Sequence, residues 1–98
     1  MASLSVYEVH APDDDWIPGQ LRIIGDHIRA ERVRQNFTQE RLYLAAGISR
    51  WTLQEIEAGR GNPSARTLLR LARALDVPLA ELVRDGPAAA TGDVGGGP

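Results

Sequence analysis

Cysteine is absent from the 98-residue chain, which excludes disulfides, thiol catalysis and a thiolate zinc site. Aromatic residues make up only 5% of the sequence, whereas leucine, isoleucine, valine and alanine are frequent, a balance that favours all-helical packing. No apolar run approaches the length that crosses a bilayer, and no basic start is followed by an apolar block. We therefore expect a cytoplasmic protein of one small domain, without a membrane segment.

Lysine is also missing, so all eleven basic residues are arginines, and they lie between Arg22 and Arg84. Residues 20–85 hold these eleven arginines against eight acids, a balance of +3, although the whole chain carries −2. The other five acids lie towards the ends: Glu8, Asp13, Asp14, Asp15 and Asp93. A basic middle with acidic ends is compatible with a partner that carries phosphate.

Two short helices joined by a tight turn are predicted between Thr38 and Gly59. Thr38 and Ser49 are good N-caps, because a hydroxyl oxygen can accept from backbone N–H groups of the first helical turn. Gly47 can adopt a left-handed conformation at low cost, so it can end the first of these helices. The second helix carries a varied set of polar and planar side chains: Arg50, Trp51, Thr52, Gln54 and Glu55.

Three further helices are predicted around this pair. Apolar periodicity indicates one helix over about residues 20–36, one from Ser64 to about Leu75, and a short last helix over residues 79–83. Together the five helices predict an all-α domain spanning residues 20–85.

The two ends are predicted to lie outside this domain. Residues 1–19 form a flexible arm in this interpretation, and residues 86–98 form a disordered tail with almost nothing to bury. Residues 4–9 alternate apolar and polar and could form an edge strand. Either they belong to a mobile arm, or this strand or Trp16 docks on a partner subunit.

Catalytic and metal sites are not indicated, and we expect neither enzymatic activity nor a cofactor. The histidines are His10 and His27, and neither has the spacing of a metal site or a catalytic triad. The acidic run at residues 13–15 is more typical of solvated charge than of a cation site.

Six short motifs follow one another along the middle of the chain. They are I-G-x-x-I-R-x-x-R at 24–32, T-Q-E at 38–40, G-I-S at 47–49, I-E-x-G at 56–59, N-P-S at 62–64 and T-L-L-R-L-A-R-A-L-D-V at 67–77. In order and spacing they resemble the lambda-repressor-like helix-turn-helix domains of the Cro/repressor (XRE) type. The resemblance covers residues 23–84 and implies a fold of five short helices.

The resemblance also implies that the second helix of the motif, residues 50–58, enters the major groove of double-stranded DNA. The residues it assigns to base reading are Arg50, Trp51, Thr52, Gln54 and Glu55. Arg50 is suited to guanine, Gln54 to adenine and Glu55 to the N4 amine of cytosine. Trp51 either packs on a thymine methyl or a sugar, or anchors the loop beneath it.

Phosphate contacts are implied for a second set of residues, which are Thr38, Gln39, Ser49, Arg60 and Asn62. Gln39 falls at the start of the first motif helix, where its amide and the unpaired backbone N–H groups can hold one phosphate. Arg60 and Asn62 either meet the backbone of the same strand or belong to a solvated loop.

Arg32 and Glu57 fall on positions where the family has an internal ion pair between its first helix and the base-reading helix. A structural role is therefore expected for both, because a lone buried charge is costly. Tyr43 departs from the pattern, since the family usually has alanine there and often a larger residue at Ala46. We expect the large and small positions to be exchanged.

The function implied is that of a sequence-specific DNA-binding transcriptional regulator, acting as a homodimer on a pseudo-palindromic operator. The alternative is an antitoxin or protein-bridging module of the same fold, which acts mainly through a protein partner and uses the acidic ends for contact.

Overall fold

The structure, a computed structural model, describes residues 13–88. Within this range the chain forms five α-helices and no strand, which confirms the all-α class. The helices are α1 (Ile17–Arg34), α2 (Gln39–Ala46), α3 (Arg50–Glu57), α4 (Ala65–Leu75) and α5 (Leu79–Val83). None of these helices is long and apolar enough to span a membrane.

The alternating segment at residues 4–9 and the chain from residue 89 onward lie outside the described residues. The flexible arm over residues 1–12, the docking strand and the disordered tail over residues 89–98 therefore stay predictions. Within the described range, the Trp16 side chain just before α1 is exposed.

The starts and ends of the short helices follow from local chemistry. The residues before α2, α3 and α4 are Thr38, Ser49 and Ser64, and each hydroxyl oxygen lies 3.0 Å from the backbone nitrogen three residues on. These hydrogen bonds satisfy N–H groups that have no partner inside the helix. Gly47 ends α2 at φ 71°, as predicted, and Asp76 ends α4 at φ 57°.

Helix α1 differs from its predicted bounds at both ends. It begins at Ile17, three residues before the predicted domain boundary at Gln20, with Pro18 in its first turn. Proline is tolerated there because the first turn needs no N–H donor. The helix ends at Arg34 rather than Asn36, because Asn36 adopts φ 60° and a left-handed residue cannot continue a right-handed helix.

One apolar cluster, to which all five helices contribute, forms the core. Helix α3 packs on α1 and α2, α4 packs on α2, and α5 packs on α1 and α4. The buried members are Ile28, Leu42, Ala46, Leu53, Ile56, Leu71, Ala72, Leu75 and Leu82. Helix α3 contributes only Leu53 and Ile56 to this core, so most of its side chains lie outside the apolar cluster.

Candidate nucleic-acid interface

Helix α3 has one buried face and one open face. Leu53 and Ile56 point into the core and are 0% and 4% exposed. Arg50 and Trp51 are exposed on the other side, and Gln54, which is half-buried, lies one turn beyond Arg50 on the same face. A cation, an indole and an amide are thereby presented together on one side of the helix.

Trp51 and Thr52 differ in how far they are available to a partner. The Trp51 side chain is 67% exposed, so the indole does not anchor a loop within the described residues. Thr52 is half-buried, and its hydroxyl oxygen accepts a hydrogen bond of 2.8 Å from the Ser49 hydroxyl. The Thr52 side chain is therefore tied into the cap that begins α3.

Glu55 and Arg60, which the sequence assigns to different roles, are brought together by the structure. Arg60 Nε donates to Glu55 Oε1 and Arg60 Nη2 donates to Glu55 Oε2, each at 3.1 Å. The hydrogen bonds to the Glu55 carboxylate, and its charge, raise the pKa of Arg60. Both carboxylate oxygens of Glu55 therefore have a partner in the protein itself.

The ion pair of Arg32 and Glu57 joins α1 to α3. Arg32 Nε donates to Glu57 Oε2 at 2.7 Å and Nη2 donates to Oε1 at 3.1 Å, with side chains 12% and 4% exposed. A third donor, Arg32 Nη1, reaches the carbonyl oxygen of Phe37 at 2.8 Å. One guanidinium thus fixes α3 relative to the segment that leads into α2.

Gln39 extends this network to the N-terminus of α2. Its Nε2 atom donates to Glu57 Oε1 at 3.1 Å, a contact that sequence reasoning did not foresee. The second hydrogen on Nε2 stays available, as do backbone N–H groups of the first turn of α2. Thr38 caps the same turn, so a ligand at this helix end would meet donors held at fixed positions.

The contact between α2 and α3 accommodates the departure at Tyr43. Ala46 is buried at 5% exposure, and Tyr43 is half-buried against the edge of the core. Ala46 is thus a member of the core, and Tyr43 packs against it from its margin; the exchange of the large and small positions stays a prediction. Asn62, in the loop between α3 and α4, is exposed.

The capped pair of α2 and α3, turning at Gly47, with one open face on the second helix, defines a helix-turn-helix domain. The profile of the helix-turn-helix family matches residues 28–82, more than half of the chain. A curated relative, the uncharacterized HTH-type transcriptional regulator y4dJ of Sinorhizobium fredii, is 37% identical over 62 residues, which cover 63% of this chain and 80% of the relative. The chain belongs to the helix-turn-helix family, as a DNA-binding transcriptional regulator of the XRE type.

Solved structures confirm the fold. The restriction-modification controller protein C.AhdI from Aeromonas hydrophila aligns with a TM-score of 0.64 at 33% identity, over 65% of this chain and 97% of that protein. The clp gene regulator ClgR from C. glutamicum aligns with a TM-score of 0.61 at 27% identity, over 64% and 82%. The hypothetical transcription factor NHTF from Neisseria, at 24% identity and a TM-score of 0.62, shares the fold over 76% and 83%.

Proposed function

We propose that the protein binds DNA sequence-specifically by placing α3 in the major groove. The observation that carries this proposal is the open face of α3, where Arg50, Trp51 and Gln54 project from a helix whose other face is fixed in the core. Arg50 is suited to donate two hydrogen bonds to guanine, and Gln54 to pair with adenine. The Trp51 indole offers a flat apolar surface to a thymine methyl or a sugar.

A second group of residues surrounds α3 and is suited to phosphate. Gln39 and the backbone N–H groups at the start of α2 form one contact, and Ser49, with the capped start of α3, stands beside the base-reading face. Arg60 and Asn62 lie at the far end of α3 and are exposed. The phosphate contacts then fix the position of the protein on the duplex and its general affinity, while the base contacts determine which DNA sequence is bound.

Two copies are proposed to act together on a pseudo-palindromic operator. One domain of this size reaches few base pairs, so two half-sites about one helical turn apart, ~34 Å, raise both affinity and discrimination. The candidate dimer surfaces are α5 and the N-terminal arm. On α5, the half-buried side chains of Leu79 and Val83 would supply the apolar contact of such a surface.

The test begins with selection of bound fragments from random DNA, which reports specificity, half-site symmetry and spacing together. Titrations then compare a selected duplex with a scrambled duplex of equal composition. Arg50→Ala and Gln54→Ala are each expected to lose about 1–3 kcal/mol on the selected duplex and to relax one base preference. Gln39→Ala is the matched control, expected to weaken both duplexes similarly; equal losses on both for Arg50→Ala would refute its base-reading role.

The alternative of an antitoxin or bridging module rests on the acidic ends of the chain. Asp13, Asp14 and Asp15 are exposed just before α1, whereas Glu8 and Asp93 lie outside the described residues. The same selection experiment separates the two functions. A protein that acts mainly through a protein partner would yield no common sequence motif.

A further inference from the structure

Arg60 is turned back onto α3 by the chain itself. The two residues beside it, Gly59 and Gly61, have φ of 77° and 81°, a region that glycine enters readily. The Arg60 backbone N–H donates to the Glu55 carbonyl oxygen at 2.9 Å, which closes the turn. The Arg60 side chain is thereby directed over the last exposed turn of the helix, where the Glu55 carboxylate lies.

The ion pair leaves one side of the Arg60 guanidinium open. Nε and Nη2 face the carboxylate, and the edge formed by Nη1 and the second hydrogen of Nη2 carries the remaining donors. The Arg60 side chain is 65% exposed, whereas that of Glu55 is 20% exposed. The guanidinium is thus the more exposed partner of the pair, and its open edge is free to meet a ligand next to α3.

A guanidinium in this state is suited to a phosphodiester. Its planar donors match phosphate oxygens in the same paired fashion as they match a carboxylate. Because Glu55 already restricts the rotamers of Arg60, less conformational freedom is lost when a phosphate binds. The positive charge of Arg60 also compensates a carboxylate that would otherwise repel the DNA backbone.

We infer that Glu55 is a positioning residue for Arg60, holding the guanidinium by its inner edge so that the outer edge binds a DNA phosphate. Glu55 then contributes to affinity through Arg60 and does not accept a hydrogen bond from cytosine. Both carboxylate oxygens are engaged by Arg60, so in this arrangement the carboxylate serves to hold the guanidinium. This inference rests on the proposed DNA-binding function.

The test is a double-mutant cycle on the full chain with Glu55→Ala, Arg60→Ala and both together. The probes are a duplex selected from random DNA and a scrambled duplex of equal composition, titrated over a range of salt. With Arg60 present, Glu55→Ala is expected to weaken binding about two- to fivefold on both duplexes. In the Arg60→Ala background the same change is expected to strengthen binding, because it removes an unpaired carboxylate. Arg60→Ala should also lower the salt slope by about 1.

Glu55→Ala is thus expected to have opposite effects on DNA affinity with and without Arg60. A merely structural role of Glu55 would not produce this change of sign. Thermal melts of all variants show whether each is folded, and Glu55→Gln, which keeps one acceptor for Arg60, should lie between wild type and Glu55→Ala. A shift of preference at one base pair in both backgrounds would overturn the inference and make Glu55 a base reader. Stronger binding in both backgrounds would also overturn it, since Glu55 would then only repel DNA.

The wild-type titration separates this inference from the proposed function. If wild type binds the selected duplex but the effect of Glu55→Ala has the same sign with and without Arg60, only the positioning role of Glu55 is overturned. Failure of the wild type to bind any selected duplex overturns the proposed function and the inference together.

Discussion

A β-carbon added to Gly25 would lie 2.2 Å from the backbone carbonyl oxygen of Ile56. Helices α1 and α3 therefore touch backbone to backbone, with no room for even a methyl group between them. Glycine inside a helix is normally unfavourable because it loses more conformational freedom than alanine on folding. At this position the close approach of the two helices requires it, and that approach sets the depth at which α3 packs on the domain.

Gly25→Ala is accordingly expected to destabilise the fold, although alanine is the better helix former. Overpacking of this kind costs about 1–3 kcal/mol, and we expect the upper part of that range because the opposing atom is backbone. Gly19→Ala is the matched control in the same helix, since nothing lies within 4 Å of its added β-carbon; it should be neutral or stabilising by up to ~1 kcal/mol. Urea unfolding measures both, and an unchanged midpoint for Gly25→Ala would mean that α3 does not pack this closely.

The ion pair of Arg32 and Glu57 gives a second stability prediction. Glu57→Ala leaves the mostly buried guanidinium without its carboxylate and should lower the free energy of unfolding by roughly 3–5 kcal/mol. Arg34→Ala, which breaks the exposed pair with Glu31 on the outside of α1, should cost far less, because water screens that pair. Denaturant titration provides the measurement.

Coupling between the two partners can be checked separately. The double variant with Arg32→Met and Glu57→Leu lacks both charges, so neither is left buried without its partner. Its loss of unfolding free energy should be smaller than the sum of the losses of the two single variants, Arg32→Met and Glu57→Leu. Simple additivity would show that the two side chains are stabilised independently.

His27 fastens α5 and the segment after it to α1. The ring is buried at 4% exposure, and its Nδ1 and Nε2 atoms lie 3.1 Å and 2.9 Å from the carbonyl oxygens of Leu82 and Gly86. His27→Phe keeps an aromatic ring, somewhat larger than imidazole, but supplies no donor, so at least one carbonyl loses its partner, at a cost of about 1–3 kcal/mol. Asp26→Ala, at an exposed neighbouring position, is the control.

Hydrogen exchange locates the effect of this substitution. The backbone N–H groups of α5, which His27 contacts through the Leu82 carbonyl, should exchange faster in His27→Phe by more than global stability explains. Those of the central core helices should follow global stability alone. Protection of α5 that changes only with global stability would show that His27 does not hold it.

Features that depend on neighbours in sequence could be predicted, because their causes are local. Thr38, Ser49 and Ser64 cap their helices through bonds to residues three positions on, so the hydroxyl residue ahead of an apolar pattern is signal enough. The left-handed end of α2 at Gly47 follows for the same reason. The start of α1 could not be predicted in this way, because Pro18 is as typical of a linker as of a first helical turn.

Apart from the ion pair of Arg32 and Glu57, which the family resemblance implied, contacts made by tertiary geometry could not be predicted. The ring of His27 contacts carbonyl groups 55 and 59 positions away, and no periodic pattern in the sequence predicts such a contact. Glu55 and Arg60 are separated by five positions, which is not a helical pairing distance; they meet only because the chain turns between them. Base-reading and phosphate roles assigned from order along α3 therefore missed that these two residues act on each other.

The exposed face of α1 carries a pH-dependent contribution to stability. The hydrogen bond from Arg34 lowers the pKa of Glu31 below its ordinary value of 4.5; burial opposes this shift, and a hydrogen bond from Gln35 adds to it. A carboxyl whose pKa is lowered by folding stabilises the folded state above its ordinary pKa, and that stabilisation is lost as the pH falls through the lower, folded value. The window for Glu31 therefore opens just above pH 4.5 and extends downward.

Glu31→Gln removes this titration and should destabilise the protein slightly at neutral pH, by well under ~1 kcal/mol, because water screens the pair. The difference from wild type should shrink as the pH is lowered below 4.5, where the native carboxyl itself becomes protonated. Denaturant midpoints of both proteins across this range measure the effect, and the Arg34→Ala background, which lacks the main cause of the shift, should show a much weaker pH dependence. A stability difference between wild type and Glu31→Gln that grows as the pH falls would contradict the lowered pKa of Glu31, since it would require folding to raise that pKa.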